Sequence, residues 1–156
     1  MTRERLAEVL EEIATLLELK GENPFKTRAY RNGAETVLNY DGDIVQKAVD
    51  DDLKGIKGIG DALQQKLHEL ASTGKLEFHL NLRNEFPETL FELFDVQGLG
   101  PKKIKALYEK LGIGSLGALR RACESGEVAK LSGFGAKTSE KIIAALDLRE
   151  LSLIHI

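Results

Sequence analysis

Apolar residues recur at helical spacing from the start of the chain. Leu6, Val9, Leu10, Ile13, Leu16 and Leu17 fall at i, i+3, i+4, i+7, i+10 and i+11, one stripe of an α-helix. Thr2 stands where such a helix takes its N-terminal cap, and Gly21 where it ends. Glu4, Glu8, Glu11, Glu12 and Glu18 predict an acidic outer face. A second helix opens after Asn23-Pro24, since Pro suits a first helical turn, and carries Phe25, Ala29, Tyr30, Val37 and Leu38. Asp41-Gly42-Asp43 reads as a turn rather than a metal-binding pair, because no apolar strand flanks it. A short helix near Ile44–Val49 and the acidic run Asp50–Asp52 follow. Almost no stretch alternates apolar and polar residues as a strand does, so the pattern predicts helices joined by short turns.

From Lys54 the chain repeats itself. Ile56-Lys57-Gly58-Ile59-Gly60, Val96-Gln97-Gly98-Leu99-Gly100-Pro101 and Leu131-Ser132-Gly133-Phe134-Gly135 each open a helix. These helices run to Ser72-Thr73-Gly74, to Gly112 and to about Arg149. Leu67, Leu107 and Ile142 take the same place after each first glycine. A shorter helical segment precedes each hairpin (44–53, 87–94 and 126–130), and further helices are predicted near Lys75–Phe86 and Ser115–Glu124. Self-similarity at such intervals defines an architecture: helix, glycine hairpin, helix, three times over. Leu151–Ile156 continue no pattern and read as a helix end, a truncation point or a scar.

Composition narrows the classes. The 156 residues are 42% hydrophobic and 30% charged, enough apolar material for a core. No apolar run is long enough for a membrane span, and no secretory leader pattern opens the chain. One cysteine, Cys123, excludes a disulfide framework and points to a small packing residue. His68, His79 and His155 lack ligand spacing; the first two are expected as surface or partly buried packing residues. A reducing cytoplasm is the expected location. The net charge of −3 does not mark a nucleic-acid binder, but charge is sorted along the chain. Lys102, Lys103, Lys105 and Lys110 stand against Glu109 after the second hairpin, and Lys54, Lys57, Lys66 and Lys75 against Asp61 and Glu69 around the first. Lys20, Lys26, Arg28 and Arg31 gather at the second helix, while residues 77–95 are acidic.

A glycine–apolar–glycine step permits positive φ and removes side-chain bulk. The residue between the glycines pins the turn, and the second glycine starts a helix whose free N–H groups and dipole attract an anion. Three copies with matching apolar offsets read as helix-hairpin-helix units that grip phosphates without reading bases. The candidate contacts are Lys57, Gly58 and Gly60 in the first hairpin, Gly98, Gly100, Lys102 and Lys103 in the second, and Gly133, Gly135 and Lys137 in the third. No G-x-x-x-x-G-K-[ST] pattern is present, so nucleotide hydrolysis is unsupported.

The run Leu19-Lys20-Gly21-Glu22-Asn23-Pro24-Phe25-Lys26-Thr27-Arg28-Ala29-Tyr30-Arg31, the three hairpins in order, and Ser72-Thr73-Gly74-Lys75-Leu76 together resemble the N-terminal part of family X DNA polymerases, bacterial and archaeal branch, over about residues 3–147. The resemblance implies an all-α chain of tandem helix-hairpin-helix units in two small helical subdomains. Residues 1–80 would be a lyase-like domain binding the 5′ side of a DNA gap, 81–150 a duplex-binding domain with two further hairpins, and 151–156 an unassigned tail. The family's lyase nucleophile matches Lys66, and Lys26, Tyr30 and Arg31 match residues near the 5′ end. Phe25 stands where the family has a histidine and Ala62 where it has a hairpin-helix lysine, which thins the charge of the phosphate pocket. The family's hairpins also hold a monovalent cation, Na⁺ or K⁺, through backbone carbonyls; these would be Lys54, Ile56 and Ile59, and Phe94, Val96 and Leu99. The family's palm, with its Mg²⁺-binding aspartates, would begin where this chain ends, so no polymerase activity is expected from it. The expected function is sequence-independent binding of gapped, nicked or 5′-phosphate-ended DNA in repair, by a monomer of the cytoplasm and nucleoid that needs no cofactor to bind. A deoxyribose-phosphate lyase using Lys66 is the alternative, and a junction binder or scaffold of another kind fits the same repeats.

Overall fold

The computed structural model describes residues 1–154. His155 and Ile156 lie outside the described residues. Among the described residues there are eight α-helices and two 3-10 segments and no strand. The chain divides into two compact units, Met1–Glu85 and Phe86–Ile156.

In the first unit α1 (Arg3–Leu19) begins at Thr2, whose hydroxyl accepts from Arg5 N at 3.1 Å. It ends in a Schellman turn: Gly21 has φ +78, and Glu22 N donates to the Leu17 carbonyl at 3.0 Å. Helix α2 (Pro24–Asn39) is capped by Asn23, whose side-chain oxygen accepts from Phe25 N at 2.8 Å. Its last turn is tied to α1 by Arg3, which donates to the carbonyls of Leu38 and Tyr40. Helix α3 (Ile44–Val49) is capped by Asp43, so the Asp41–Asp43 segment is a turn that starts a helix. The acidic run closes α3: Asp51 takes a left-handed φ of +55, which Asp tolerates, and Asp52 N returns to the Lys47 carbonyl. Helices α4 (Asp61–Thr73) and α5 (Glu77–Arg83) complete the unit.

The predicted stripe of α1 is the core: Leu6, Val9, Leu10, Ile13 and Leu16 are fully buried, with Ala34 and Val37 of α2 and Leu53, Leu67 and Leu70. Each such leucine contributes about 1.5–3 kcal/mol by burial. One expectation fails. Glu12 does not share the solvated acidic face. It accepts from His79 Nε2 at 2.8 Å and from the Arg83 guanidinium, and His79 is 4% exposed. This buried tie, with Lys20–Glu85 at 2.9 Å, holds α5 on α1. The unit therefore ends after Glu85 and not at residue 80.

The second unit holds a 3-10 segment (Glu88–Asp95), α6 (Pro101–Leu111), α7 (Leu116–Glu124), a short 3-10 turn (Val128–Lys130) and α8 (Ala136–Ile154). Leu90, Leu93, Ile104, Leu107, Leu119 and Val128 are fully buried, and Cys123 packs among buried residues. Helix α8 continues through Ile154, so the start of the supposed tail is helix. Among the described residues no helix is long and apolar enough to cross a membrane.

Candidate nucleic-acid interface

The three glycine hairpins are built by one hydrogen-bond plan. Ile56 N donates to Leu53 O and Ile59 N to Ile56 O; Val96 N to Leu93 O and Leu99 N to Val96 O; Leu131 N to Val128 O and Phe134 N to Leu131 O. Each hairpin is thus two successive tight turns on the same register. The first glycine supplies the positive φ of the second turn: +97 at Gly58, +91 at Gly98 and +86 at Gly133. At Gly58 space is also short, because an added Cβ would stand 2.3 Å from Thr36 Oγ1 on α2. Ile59 and Leu99 are buried and pin their turns; Phe134 is only half-buried, so the third turn is held less deeply.

The second glycine differs from the first. Gly60 (φ −80, ψ 176) and Gly100 (φ −92, ψ 174) are extended, a conformation open to any residue, and a Cβ at Gly60, Gly100 or Gly135 would meet nothing within 4 Å. Nothing inside the fold requires glycine there. The helices they start also lack side-chain caps, whereas α1, α2, α3 and α7 are capped by Thr2, Asn23, Asp43 and Ser115. The first N–H groups of α4, and in α6 those of Lys102 and Lys103 after the N–H-less Pro101, are therefore unpaired by a side-chain cap.

The lysines beside these turns are uncommitted. Lys57, Lys102 and Lys137 are exposed, and among the described residues none of them, nor Lys103, joins an ion pair. Lys103 Nζ leans onto the Gly98 carbonyl at 3.4 Å. The carbonyls of Ile56 and Val96 each accept one turn hydrogen bond, and Gln64 Nε2 approaches the Ile59 carbonyl at 3.4 Å. A carbonyl oxygen has two lone pairs, so these atoms retain acceptor capacity. The remaining carbonyls named in the sequence, of Lys54, Phe94 and Leu99, belong to the same two turns. Among the described residues no group of three or more His, Cys, Asp or Glu side chains is placed to hold a metal.

A second feature of the first unit is a cavity of about 490 Å³ between α1, α2, α4 and α5, whose wall includes Lys20, Lys26, Tyr30, Ala62, Lys66 and Phe78. Tyr30 and Phe78 stack at 6.2 Å, and Lys66 Nζ lies 4.9 Å from the Phe78 centroid, a cation–π distance. Burial pushes the Tyr30 phenol above its usual pKa. The sequence-predicted trio Lys26, Tyr30 and Lys66 thus shares one cavity. Arg31 does not join it: its guanidinium is bound to Glu11 at 2.9 Å and Glu18 at 2.8 Å. Tyr30 and Arg31 are neighbours on α2, about 100° apart around its axis, so one lines the cavity and the other meets α1. Sequence reasoning placed Lys20 only in a basic cluster and missed Phe78. Lys20 sits at the α1 end and Phe78 on a helix distant in sequence, so only the tertiary fold brings them to Lys66.

Residues 1–76 match the family model described as a helix-hairpin-helix domain, and residues 90–148 the model described as a SAM-like helix-hairpin-helix tandem. The chain is 38% identical over 146 residues to the DNA polymerase/3'-5' exonuclease PolX of Bacillus subtilis (strain 168), a match covering 94% of this chain and 25% of that protein. The chain spans about a quarter of the length of that curated relative. The first of the three glycine hairpins falls within residues 1–76 and the other two within residues 90–148, so both halves carry matches to helix-hairpin-helix domains, and the chain is similar along nearly its whole length to the N-terminal part of a family X DNA polymerase.

Proposed function

We propose that this chain binds DNA by its phosphates, without reading sequence, as the DNA-holding part of a family X polymerase, and that gapped or nicked duplex is its preferred form. The observation that carries the reading is the second glycine of each hairpin. It is unobstructed from within, and at Gly60 and Gly100 it is extended and opens a helix that has no side-chain cap. A phosphate seated there accepts from the first N–H groups, gains from the helix dipole, and is approached by backbone with no side chain between. Lys57, Lys102, Lys103 and Lys137 add positive charge around these seats. Backbone contacts of this kind fix position and carry no base information. The turn carbonyls of Lys54, Ile56 and Ile59, and of Phe94, Val96 and Leu99, are hard oxygen donors that would hold Na⁺ or K⁺, which would supply positive charge at the hairpin.

The test is fluorescence anisotropy on gapped, nicked and intact duplexes of several sequences over a range of salt. With two or three hairpins engaged, the slope of log K against log[salt] is expected at roughly −2 to −5. Binding that follows base sequence, or a slope near zero, refutes phosphate gripping; equal affinity for intact duplex refutes the preference for gaps.

A second reading is favoured by the cavity around Lys66: a 5′-deoxyribose-phosphate lyase. The neutral amine of Lys66 attacks the C1′ aldehyde of the open sugar, and loss of water gives an imine. A base removes a C2′ proton, the C3′–O bond breaks, and the DNA 5′-phosphate leaves with the electron pair. Hydrolysis of the imine returns Lys66. Lys26, paired only loosely with Glu22 at 3.9 Å, would hold the phosphate and Tyr30 the sugar. Borohydride reduction on gapped DNA bearing that sugar tests it. A covalent adduct present in Lys75→Ala and absent in Lys66→Ala supports the role, and no adduct in the unmodified chain bound to the same DNA excludes it.

A further inference from the structure

We propose that the face of α2 formed by Asn32, Thr36 and Asn39 is a second nucleic-acid contact surface, which takes the uncharged minor-groove edge of the strand whose phosphate the first hairpin holds. The proposal rests on the reading of that hairpin as a phosphate seat.

The three residues stand at i, i+4 and i+7, one stripe along roughly 10 Å of helix. They line an open groove of about 600 Å³ whose other wall is Lys57 and Gly58 of the hairpin. Thr36 lies directly under Gly58, so the groove runs up to the turn itself. Asn32 and Asn39 are exposed and Thr36 half-buried. Among the described residues none of these three side chains has a hydrogen-bond partner. That contrasts with Asn23 and Asp43, which cap the helices beside them. Asn is a weak helix former because its amide competes for backbone groups, and Asn32 sits within α2 without using that amide.

Charge selects the occupant. Lys57 shares the groove with Glu35 and Asp41, so the groove is net negative and repels a second phosphate. A neutral edge suits it. An Asn amide both donates and accepts, and Thr does likewise. The minor groove offers the acceptors adenine N3 and thymine O2 and the guanine N2 donor. A strand anchored at the hairpin by phosphate lays that edge along the stripe.

The experiment separates neutral from ionic contacts by salt. The full chain, its Asn32→Ala/Asn39→Ala variant and its Lys57→Ala variant are titrated with gapped duplex at several salt concentrations, with circular dichroism confirming the fold. The double variant is expected to lose affinity by about tenfold for two neutral hydrogen bonds, with the salt slope unchanged. Lys57→Ala is expected to lose affinity and about 0.9 of slope. Unchanged affinity in the double variant overturns the inference while the hairpin reading stands. A loss of affinity with a loss of slope also overturns it, because the stripe then acts through phosphates. An unmodified chain that binds no DNA removes the hairpin reading itself.

Discussion

Substitution of the two glycines of one hairpin should give opposite results. At Gly58 φ is +97 and a methyl would approach Thr36 Oγ1 to 2.3 Å. Thr36 is β-branched and sits on a helix, so its hydroxyl has few places to go. The backbone strain costs about 1–3 kcal/mol and the overpacking about 1–3 more. Gly58→Ala should therefore lower stability by about 2–6 kcal/mol, a large share of a domain's usual 5–15. Gly98→Ala carries the strain alone, since space there is open. Gly60 and Gly100 are extended and face open space, and Gly100 precedes Pro101, where extended backbone is preferred. Alanine is a poorer N-cap than glycine by about 0.5–1 kcal/mol, and the stiffer unfolded chain returns about 0.4–1 at each site, so Gly60→Ala/Gly100→Ala should melt within about 1 kcal/mol of the parent. Its DNA affinity should fall sharply, because the methyl stands between N–H donors and phosphate. One charge-assisted hydrogen bond is about 1.5–3 kcal/mol, so loss of one gives roughly tenfold to a hundredfold. Urea denaturation and anisotropy on a gapped duplex read the two effects separately. A double variant that folds and binds like the parent would refute the argument, since the second glycines would then serve nothing outside the fold.

Two further outcomes concern the first unit. Burial raises the pKa of Glu12, but the hydrogen bond from His79 and the charges of His79, Arg83 and Arg5 outweigh it, and the carboxyl ends below its ordinary value of 4.5. A depressed folded pKa stabilises above 4.5 and loses that contribution as pH falls through the folded value, so Glu12→Gln should be less stable at neutral pH and flatten the acid limb of thermal melts recorded between about pH 6 and 3. An acid limb unchanged by the substitution would place the pH dependence elsewhere. Of the three tyrosines, Tyr30 should ionise late in an ultraviolet titration, because burial disfavours its phenolate, and Tyr30→Phe should remove that late phase. A late phase that survives the substitution belongs to another tyrosine.

Local chemistry made most of this fold legible. The stripe of α1, the cap at Thr2, the helix start at Asn23-Pro24 and the turn at Asp41–Asp43 depend on neighbours in sequence, and each lies where its pattern placed it. The hairpins were legible because a repeated backbone conformation demands a repeated glycine. Leu67, Leu107 and Ile142, set by the same offset, are all buried. What could not be read is pairing across the chain. Glu12 looked like one more glutamate of an acidic face, since its partners His79 and Arg83 lie on α5 and nothing near position 12 announces them. Arg31 looked like a partner for phosphate, but α2 packs on α1 with Arg31 toward Glu11 and Glu18, so its charge is answered within the protein.

That last placement bears on how a chain of net charge −3 can hold a polyanion. Its cations fall into two sets. Arg31, Arg83 and Arg120 are spent on carboxylates, and Arg120 alone meets Glu124, Asp147 and Glu150. The lysines at the hairpins are left to solvent. Arginine's rigid fork matches a carboxylate in two-point geometry, while lysine is a mobile point charge that adjusts to a phosphate wherever a strand brings it. Acidic residues thus neutralise the structural arginines and lower the total charge, while at the first hairpin Asp61 follows Gly60 and Glu35 and Asp41 lie beside Lys57. The field a strand meets is therefore local: helix N-termini with lysines around them, at separate turns on the surface. A protein so arranged has little long-range pull on DNA, and its grip depends on several turns engaging at once. Loss of one hairpin should then weaken binding far more than its own contacts would, because the remaining seats no longer hold the strand near the vacant one.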